Sequence, residues 1–265
     1  MKYYNIMQGK KIYFASDLHL GLPTLKESLP REKLFVKWLD RIKPDAAELY
    51  LLGDIFDFWF EYKRVVPKGY SRFIGKIAEF TDSGIPVYFF TGNHDVWMFD
   101  YFQKELGVEV CHKPLIKDIL NKKFFLAHGD GLGKGDPGYK LLKSIFTSPT
   151  LQWLFARIHP NFSLWFGNRW SVSSRYSKEI AHKFRGEDEL ITRFTRSKLE
   201  DQHFDFFIFG HWHSPTIYPL NDNTSNLIIL GDWLVNNTYS VWDGEHLKLM
   251  QFNGEGEDVV LSVTK

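Results

Sequence analysis

The sequence has a single cysteine, Cys111, among its 265 residues. One cysteine cannot form a disulfide within the chain, which excludes a disulfide-stabilised extracellular scaffold and favours a reducing compartment. Charge-free apolar runs of about 18 residues are also missing, so no transmembrane helix is predicted. The first residues, MKYYNIMQGKKIYF, lack the apolar stretch of a secretory signal peptide. We therefore expect a cytoplasmic protein.

An excess of charge of either sign is missing as well. Lysine and arginine together number 33 and aspartate and glutamate 32, so the composition gives no reason to expect a nucleic-acid partner. What the sequence has in abundance is aromatic residues, which make up 17% of the chain, within a hydrophobic content of 44%. The length and this content predict one large domain over residues 1–265, with room for an insert.

Short apolar runs bounded by turn signals recur along the chain and predict buried strands. The runs are KIYFAS, ELYLLG, VYFFTG, KFFLAHG, FDFFIFG, NLIILG and TYSVWDGEHLKLMQF, the last of which contains a hairpin turn at Asp243 and Gly244. Apolar residues at helical spacing lie between several runs, as in EKLFVKWLDRI and YSRFIGKIAEFTDSG. Alternating strands and helices predict an α/β sheet with helices on both faces.

Residues 131–200 differ from the rest of the sequence, because they contain helical patterns and no convincing strand. We predict a helical insert here. From Lys134 to Lys198 there are 12 basic and 5 acidic residues, a net charge of +7 in a chain of net charge +1. A basic and aromatic insert suits an anionic amphiphile or an anionic membrane surface. The alternative is a helical subdomain with a solvated basic face.

Seven potential metal ligands follow predicted strands in five short blocks. Ligands of open α/β sheets gather beyond the carboxyl ends of strands, so we expect these side chains to meet. Carboxylate, imidazole and amide oxygen together suit Mn²⁺, Fe²⁺ or Zn²⁺, and the lack of cysteine in the blocks argues against structural zinc. The ligands are Asp17 and His19 in SDLHLG, Asp54 in LLGDIFDFWF, Asn93 in TGNHD, His128 in LAHGD, and His211 and His213 in IFGHWHSP.

The ligand set predicts two divalent ions, with Asp54 as the bridge because Gly53 lets the backbone approach closely. Two ions about 4 Å apart can share a hydroxide and clamp a phosphoryl group for in-line displacement. We expect Asp17, His19, Asp54 and His213 to hold one ion, and Asp54, Asn93, His128 and His211 to hold the other.

Two further residues, His94 and Asp95, are predicted to be catalytic. His94 follows a predicted ligand directly, and it is a candidate for contacting the phosphate or protonating the leaving oxygen. Asp95 would then orient the imidazole. The histidines outside the five blocks are assigned no catalytic role; they are His112, His159, His182, His203 and His246.

The series DLH, GDIFD, GNHD, HGD and GHWH, over residues 17–213, resembles the calcineurin-like metallophosphoesterase superfamily. This resemblance implies a four-layer α/β sandwich, with two mixed sheets flanked by helices, and it supports the division of ligands and the role of His94. GDIFDFWF, and DPGYK shortly after HGD, are similar to the UDP-2,3-diacylglucosamine hydrolases of lipid A synthesis. Well-known members of that family carry GNRD, with arginine at the position of His94.

Resemblance to these hydrolases implies a helical cap over the metal centre, which residues 131–200 would form. It implies cleavage of the pyrophosphate of an amphiphilic nucleotide-sugar lipid to UMP and 2,3-diacylglucosamine 1-phosphate, usually with Mn²⁺, at the cytoplasmic face of the inner membrane. Candidates for phosphate or sugar are Asp136, Tyr139, Arg157, Arg169, Ser171, Ser174, Arg175 and Lys178. Candidates for an acyl pocket are Phe146, Trp153, Phe155, Phe162, Trp165 and Phe166.

Three other functions remain open from the residues. A soluble phosphodiesterase or phosphatase for nucleotides or phosphoproteins would pack the insert's aromatic side chains inside. A non-enzymatic scaffold would have lost metal ligands, and this chain keeps all seven. A nuclease would need an extended basic stripe outside the insert. The sequence does not predict the oligomeric state or the role of the tail NGEGEDVVLSVTK.

Overall fold

Seven strands form the first sheet. The computed structural model describes residues 9–176 and 184–265, with only the backbone for residues 168, 171–176 and 222. In chain order the strands are β1 (Lys11–Ala15), β2 (Ala46–Leu51), β3 (Val87–Phe90), β4 (Glu109–Cys111), β10 (Thr238–Trp242), β11 (Leu247–Gln251) and β12 (Val259–Thr264). Their order is β12-β11-β10-β1-β2-β3-β4. β1 to β4 are parallel, and β10 to β12 are antiparallel to their neighbours.

Five strands form the second sheet. They are β5 (Leu115–Ile119), β6 (Lys122–Ala127), β7 (Phe206–Phe209), β8 (Thr216–Leu220) and β9 (Ser225–Ile229), in the order β5-β6-β7-β9-β8. The three central strands β6, β7 and β9 are parallel, and the two edge strands are antiparallel to them. Both sheets are therefore mixed, which confirms the fold class predicted from the motifs.

The α-helices in the described part of the chain are α1 (Leu25–Ile42), α2 (Ser71–Asp82), α3 (Tyr101–Leu106), α4 (Pro137–Thr147), α5 (Pro149–Phe155), α6 (Pro160–Tyr176) and α7 (Leu190–Asp201). The first three pack on the first sheet, and α7 packs on the second. The expectation of helices on both faces of one sheet was wrong, because the inner face of each sheet packs against the other sheet. None of the described helices is both long and apolar enough to cross a membrane.

Aromatic side chains fill the space between the two sheets. Phe14 and Tyr50 of the first sheet are fully buried and stack with ring centroids 5.1 Å apart, and Phe14 also stacks on Phe124 of the second. Alternate residues of β1, such as Tyr13, point to the helical layer instead. Strands buried on both faces need apolar residues at every position, which explains the continuous runs in the sequence. The high aromatic content is thus largely core.

A buried ion pair links the sheets far from the strand ends that carry the predicted ligands. Nζ of Lys117 on β5 lies 2.5 Å from Oε2 of Glu48 on β2 and 4.2 Å from the ring centroid of Tyr88. Glu48 is only 2% exposed. Removing the ammonium would leave this carboxylate buried without its counter-charge.

Lys117→Met is therefore expected to lower the free energy of unfolding by ~3–5 kcal/mol, the cost of removing one partner from a buried pair. Urea unfolding followed by circular dichroism measures this difference. The double variant Lys117→Met/Glu48→Gln is the control and should recover most of the loss. A single variant as stable as the wild-type protein would contradict the assignment.

Candidate metal centre

All seven predicted ligands lie at the carboxyl ends of strands, in the loops that follow β1, β2, β3, β6 and β7. The two sheets meet there, so side chains from both converge. The possible ligand atoms form three groups, and within each group all the atoms lie within 4.8 Å of one another. The groups are Asp17 with His19 and His213, His19 with Asp54 and His94, and Asp54 with His128 and His211.

The first group matches the set predicted for one ion. Nε2 of His213 lies 3.2 Å from Oδ1 of Asp17 and 3.3 Å from Nε2 of His19. Nε2 of His19 is 3.7 Å from the same Asp17 oxygen and 3.8 Å from Oδ2 of Asp54. Asp17 and His19 are almost completely buried. Four potential ligands from three loops thus surround one possible metal position.

The third group, Asp54 with His128 and His211, belongs to the set predicted for the other ion. Nε2 of His128 lies 3.4 Å from Oδ2 of Asp54 and 3.3 Å from Oδ1 of Asn93. The ring of His211 is edge-on to that of His128, with centroids 5.2 Å apart. The same Asp54 oxygen therefore lies within 4 Å of a histidine nitrogen in each group, which is the arrangement a bridging carboxylate requires.

The protonation of these groups fits a divalent cation. Nδ1 of His128 is 2.7 Å from the carbonyl oxygen of Leu52 and must donate to it, since a carbonyl can only accept. In the neutral imidazole, the form that binds a metal ion, Nε2 then carries the lone pair and faces the oxygens of Asp54 and Asn93, which are also acceptors. Oδ1 of Asp17 is buried and accepts no hydrogen bond among the described residues. Acceptors that face one another in this way suit a metal ion between them.

Burial and charge shift the pKa values of these groups. Burial alone would raise the pKa of Asp54, but the surrounding histidines, His128 first, hold it well below its usual range. Burial would lower the pKa of His128, yet the Asp54 carboxylate raises it to about 10. Burial, with repulsion from His128, lowers the pKa of His211 to about 4. Asp54 is therefore ionised at neutral pH, and protonated His128 supplies the positive charge beside it when no metal ion is bound.

The backbone of the ligand loops is strained. Asp17, His19, Asp54, His211 and His213 all have φ between 45° and 69°, a region that costs non-glycine residues about 1–3 kcal/mol each. Such strain persists only where the surroundings enforce it, and it is common at functional sites.

A glycine makes the tight packing of these loops possible. A Cβ atom at Gly92 would lie 2.1 Å from Oδ1 of Asp54, so a residue with a side chain would displace the carboxylate. GNHD thus needs its glycine for close approach to the bridging candidate.

His94 is held in place by its neighbours, though not as predicted. Its backbone N–H donates to Oδ1 of Asp54 at 2.9 Å. Nδ1 lies 3.0 Å from the carbonyl oxygen of Asp57 and donates to it, so Nε2 is the ring atom through which His94 could contact a substrate. The orienting role predicted for Asp95 belongs to Asp57. Because the acceptor is the backbone carbonyl of Asp57, no residue type in the sequence could have signalled this contact.

Asp95 has a different task. Its carboxylate is fully buried and accepts hydrogen bonds from the backbone N–H groups of Gly92 at 2.7 Å and Ile55 at 2.8 Å, with longer ones from Asp54 and Phe56 at 3.3 Å. It therefore ties the loop after β2 to the loop after β3 and positions Asp54 and His94 together.

An apolar cavity of about 610 Å³ opens beside Asn93 and His94 and extends along α4, α5 and α6. Three of the six predicted acyl-pocket residues line it, namely Phe146, Phe155 and Phe166. The other three are more than half exposed and do not line it; they are Trp153 (57%), Phe162 (56%) and Trp165 (55%). Further lining residues that the prediction missed are Phe58, Val96, Trp97, Leu142, Ile145, Leu151, Leu154, Ile158 and Trp170.

The predicted phosphate and sugar residues occupy different places. Tyr139 lines the cavity, and its hydroxyl donates to Asp130. Asp136 caps α4 by accepting from the N–H of Tyr139 at 3.0 Å. Arg157 and Arg169 lie over the rings of exposed tryptophans, outside the cavity lining. The side chains of Ser171, Ser174 and Arg175, and the whole of Lys178, lie outside the described residues.

Comparison with known proteins agrees with this geometry. The family model for calcineurin-like phosphoesterases matches residues 10–215. A UDP-2,3-diacylglucosamine hydrolase of Porphyromonas gingivalis is 39% identical over 253 residues, which cover 90% of this chain and 96% of that protein. The hydrolase of the same name in Haemophilus influenzae is 30% identical over 232 residues, or 86% of this chain and 92% of that protein.

A third relative shows a similar match. The UDP-2,3-diacylglucosamine hydrolase of Actinobacillus succinogenes is 29% identical over 224 residues, which cover 84% of this chain and 92% of that protein. The matches extend over nearly the full length of each relative, so they include the helices between β6 and β7. The chain therefore belongs to the calcineurin-like phosphoesterases and, within them, to the UDP-2,3-diacylglucosamine hydrolase family of metal-dependent hydrolases.

Proposed function

We propose that the protein hydrolyses the pyrophosphate of UDP-2,3-diacylglucosamine to UMP and 2,3-diacylglucosamine 1-phosphate. One observation carries this proposal: the apolar cavity of about 610 Å³ begins at Asn93 and His94, within the candidate metal centre. A phosphate at the centre and an acyl chain in the cavity can therefore belong to one molecule. A phosphoesterase for polar substrates has no use for such a cavity, and a scaffold has no use for the ligands.

Two divalent ions, most simply Mn²⁺, would be held by the ligand sets described above, with Asp54 shared between them. When bound, the ions would activate water and neutralise charge on the phosphoryl oxygens. His94 would act on the substrate directly. Because its Nδ1 is held by the carbonyl of Asp57, its Nε2 is placed to contact the phosphate or to give a proton to the leaving oxygen.

Helices α4 to α6 would act as the acyl cap. The range 131–200 predicted for the cap also includes α7, but Ile191 and Phe194 of α7 pack on the second sheet, so we confine the cap to residues 137–176. Polar contacts from α4 help to hold the cap to the rest of the protein. Nζ of Lys143 lies 2.5 Å from Oδ2 of Asp130, and Nε1 of Trp97 donates to the carbonyl of Phe146 at 2.8 Å.

The outer face of the cap would contact the cytoplasmic face of the inner membrane. Trp153 and Trp165 are more than half exposed there, each with an arginine guanidinium over its ring. Exposed tryptophan beside arginine suits the boundary between lipid headgroups and acyl chains, and anionic lipids would attract the basic residues. A substrate could then pass from the bilayer to the cavity.

Two adjacent leucines on α4 test the cavity assignment. Leu142 lines the cavity, whereas Leu141 is 66% exposed and does not. Leu142→Glu is expected to lower kcat/KM for the diacylated substrate by roughly tenfold to a hundredfold, because a carboxylate would be buried against alkyl chains. Steady-state kinetics in detergent measures this effect.

The matched control is Leu141→Glu, which should leave kcat/KM within about twofold of the wild-type value because an exposed substitution removes no cavity contact. Hydrolysis of bis(p-nitrophenyl) phosphate, which has no acyl chain, should be similar in both variants. Equal loss of lipid hydrolysis in the two variants would contradict an acyl role for the cavity.

A further inference from the structure

The sheet edge that carries the metal ligands continues one strand beyond β3. β4 lies parallel to β3, with Cys111 opposite Phe90, and the N–H of Thr91 donates to the carbonyl of Cys111 at 3.1 Å. His112 and Lys113 follow β4 directly and are exposed. They therefore stand at the same edge as the ligand loops, and the mechanism uses neither.

A small polar groove lies at this place. Its volume is about 40 Å³, and it is lined by Thr91, His112 and Lys113 on one side and by the loop after β6, with His128, on the other. Nε2 of His128 is 3.3 Å from Oδ1 of Asn93, which lines the apolar cavity. The groove and the cavity thus meet at His128 and Asn93.

Lys143 joins the two spaces. It lines both the cavity and the groove, and its ammonium is held by Asp130 while its side chain remains 41% exposed. A cation at this junction can contact a phosphate that bridges the two spaces.

The proposed substrate has two dissimilar halves joined by a pyrophosphate. If the apolar cavity binds the acyl half, the nucleotide half must extend from the metal centre in another direction. The groove offers lysine ammonium groups, an imidazole and a threonine hydroxyl as donors, and the ribose hydroxyls and ring carbonyls of a pyrimidine nucleoside can accept from them. A space of about 40 Å³ holds about one water, so a nucleoside would lie over the groove.

We propose, on the basis of the proposed function, that this groove binds the nucleoside monophosphate half of the substrate. His112 and Lys113 contact the nucleoside, and Lys143 contacts its phosphate. The groove is thus the part of the site that distinguishes a nucleoside diphosphate substrate from phosphate esters without a nucleoside.

Calorimetric titration of the metal-loaded protein with UMP, and separately with inorganic phosphate, tests this assignment. In the double variant His112→Ala/Lys113→Ala, the Kd for UMP is expected to rise about tenfold, and the Kd for inorganic phosphate to stay within about twofold. The control is the double variant His203→Ala/Lys37→Ala, which removes the same two residue types from the other end of β7 and from α1. It should leave both constants unchanged.

Three outcomes would overturn the proposal: equal UMP binding by the groove variant and the wild-type protein, an equal loss of phosphate affinity, or UMP binding no tighter than phosphate in the wild-type protein. The titration does not require turnover. A failure to cleave the diacylated substrate would therefore refute the proposed function and still leave the groove assignment measurable.

Discussion

Asp54→Ala is expected to abolish hydrolysis and to release both metal ions from the protein. Oδ2 of Asp54 lies 3.8 Å from Nε2 of His19 and 3.4 Å from Nε2 of His128, so a single carboxylate serves both ligand groups. Loss of a ligand shared by two ions removes negative charge from both positions at once. Elemental analysis after dialysis should find two ions per chain in the wild-type protein and fewer than one in the variant.

The control for this variant is Asp118→Ala, which removes an exposed aspartate from β5 and should change neither metal content nor activity. Circular dichroism should be the same for all three proteins. Retention of two ions by Asp54→Ala would refute the bridging assignment, whatever its activity.

His94→Ala is expected to lower turnover by about 10²–10⁴-fold, the usual contribution of a general acid or base, with metal content nearly unchanged. The imidazole is anchored through Nδ1 to the Asp57 carbonyl, so Nε2 is the ring atom that would serve the substrate. Single-turnover kinetics together with elemental analysis separates the two effects. Parallel loss of metal and turnover would make His94 a structural or ligating residue.

A second substitution at this position distinguishes the two roles left open for His94. Arginine cannot give up a proton near neutral pH, but it can contact a phosphate. If His94→Arg recovers activity to within about tenfold of the wild-type rate, His94 contacts the phosphate. If His94→Arg is as slow as His94→Ala, His94 supplies the proton.

The convergence of the candidate ligands could be predicted from the sequence because each depends on a local pattern, an apolar run followed by a glycine-containing turn. Parallel strands then bring those turns to one edge, whatever the details of packing. The predictions for the sheet edges were less complete. β4, β5 and β8 are edge strands; they are short or half-exposed, and β8 contains Pro219. An edge strand need not be apolar on both faces, so it leaves no continuous run in the sequence.

The side-chain contacts within the site could not be predicted from the spacing of residues in the sequence. Asp95 follows His94 in the chain, yet its oxygens bind backbone N–H groups of other residues, and the more distant Asp57 holds the imidazole. The inserted helices show the same limit. Their apolar spacing predicts helices but does not tell Phe155, which lines the cavity, from Trp153, which is exposed, because these helices are apolar on more than one face.

The measurement that tests the central claim most directly is UMP release from UDP-2,3-diacylglucosamine by the purified, Mn²⁺-loaded protein in mild detergent. We predict UMP and 2,3-diacylglucosamine 1-phosphate in equal amounts, with release stopped by a chelator and undetectable for Asp54→Ala. Absence of UMP, together with steady cleavage of a generic aryl phosphodiester, would contradict the lipid substrate and leave the protein a phosphoesterase with another substrate.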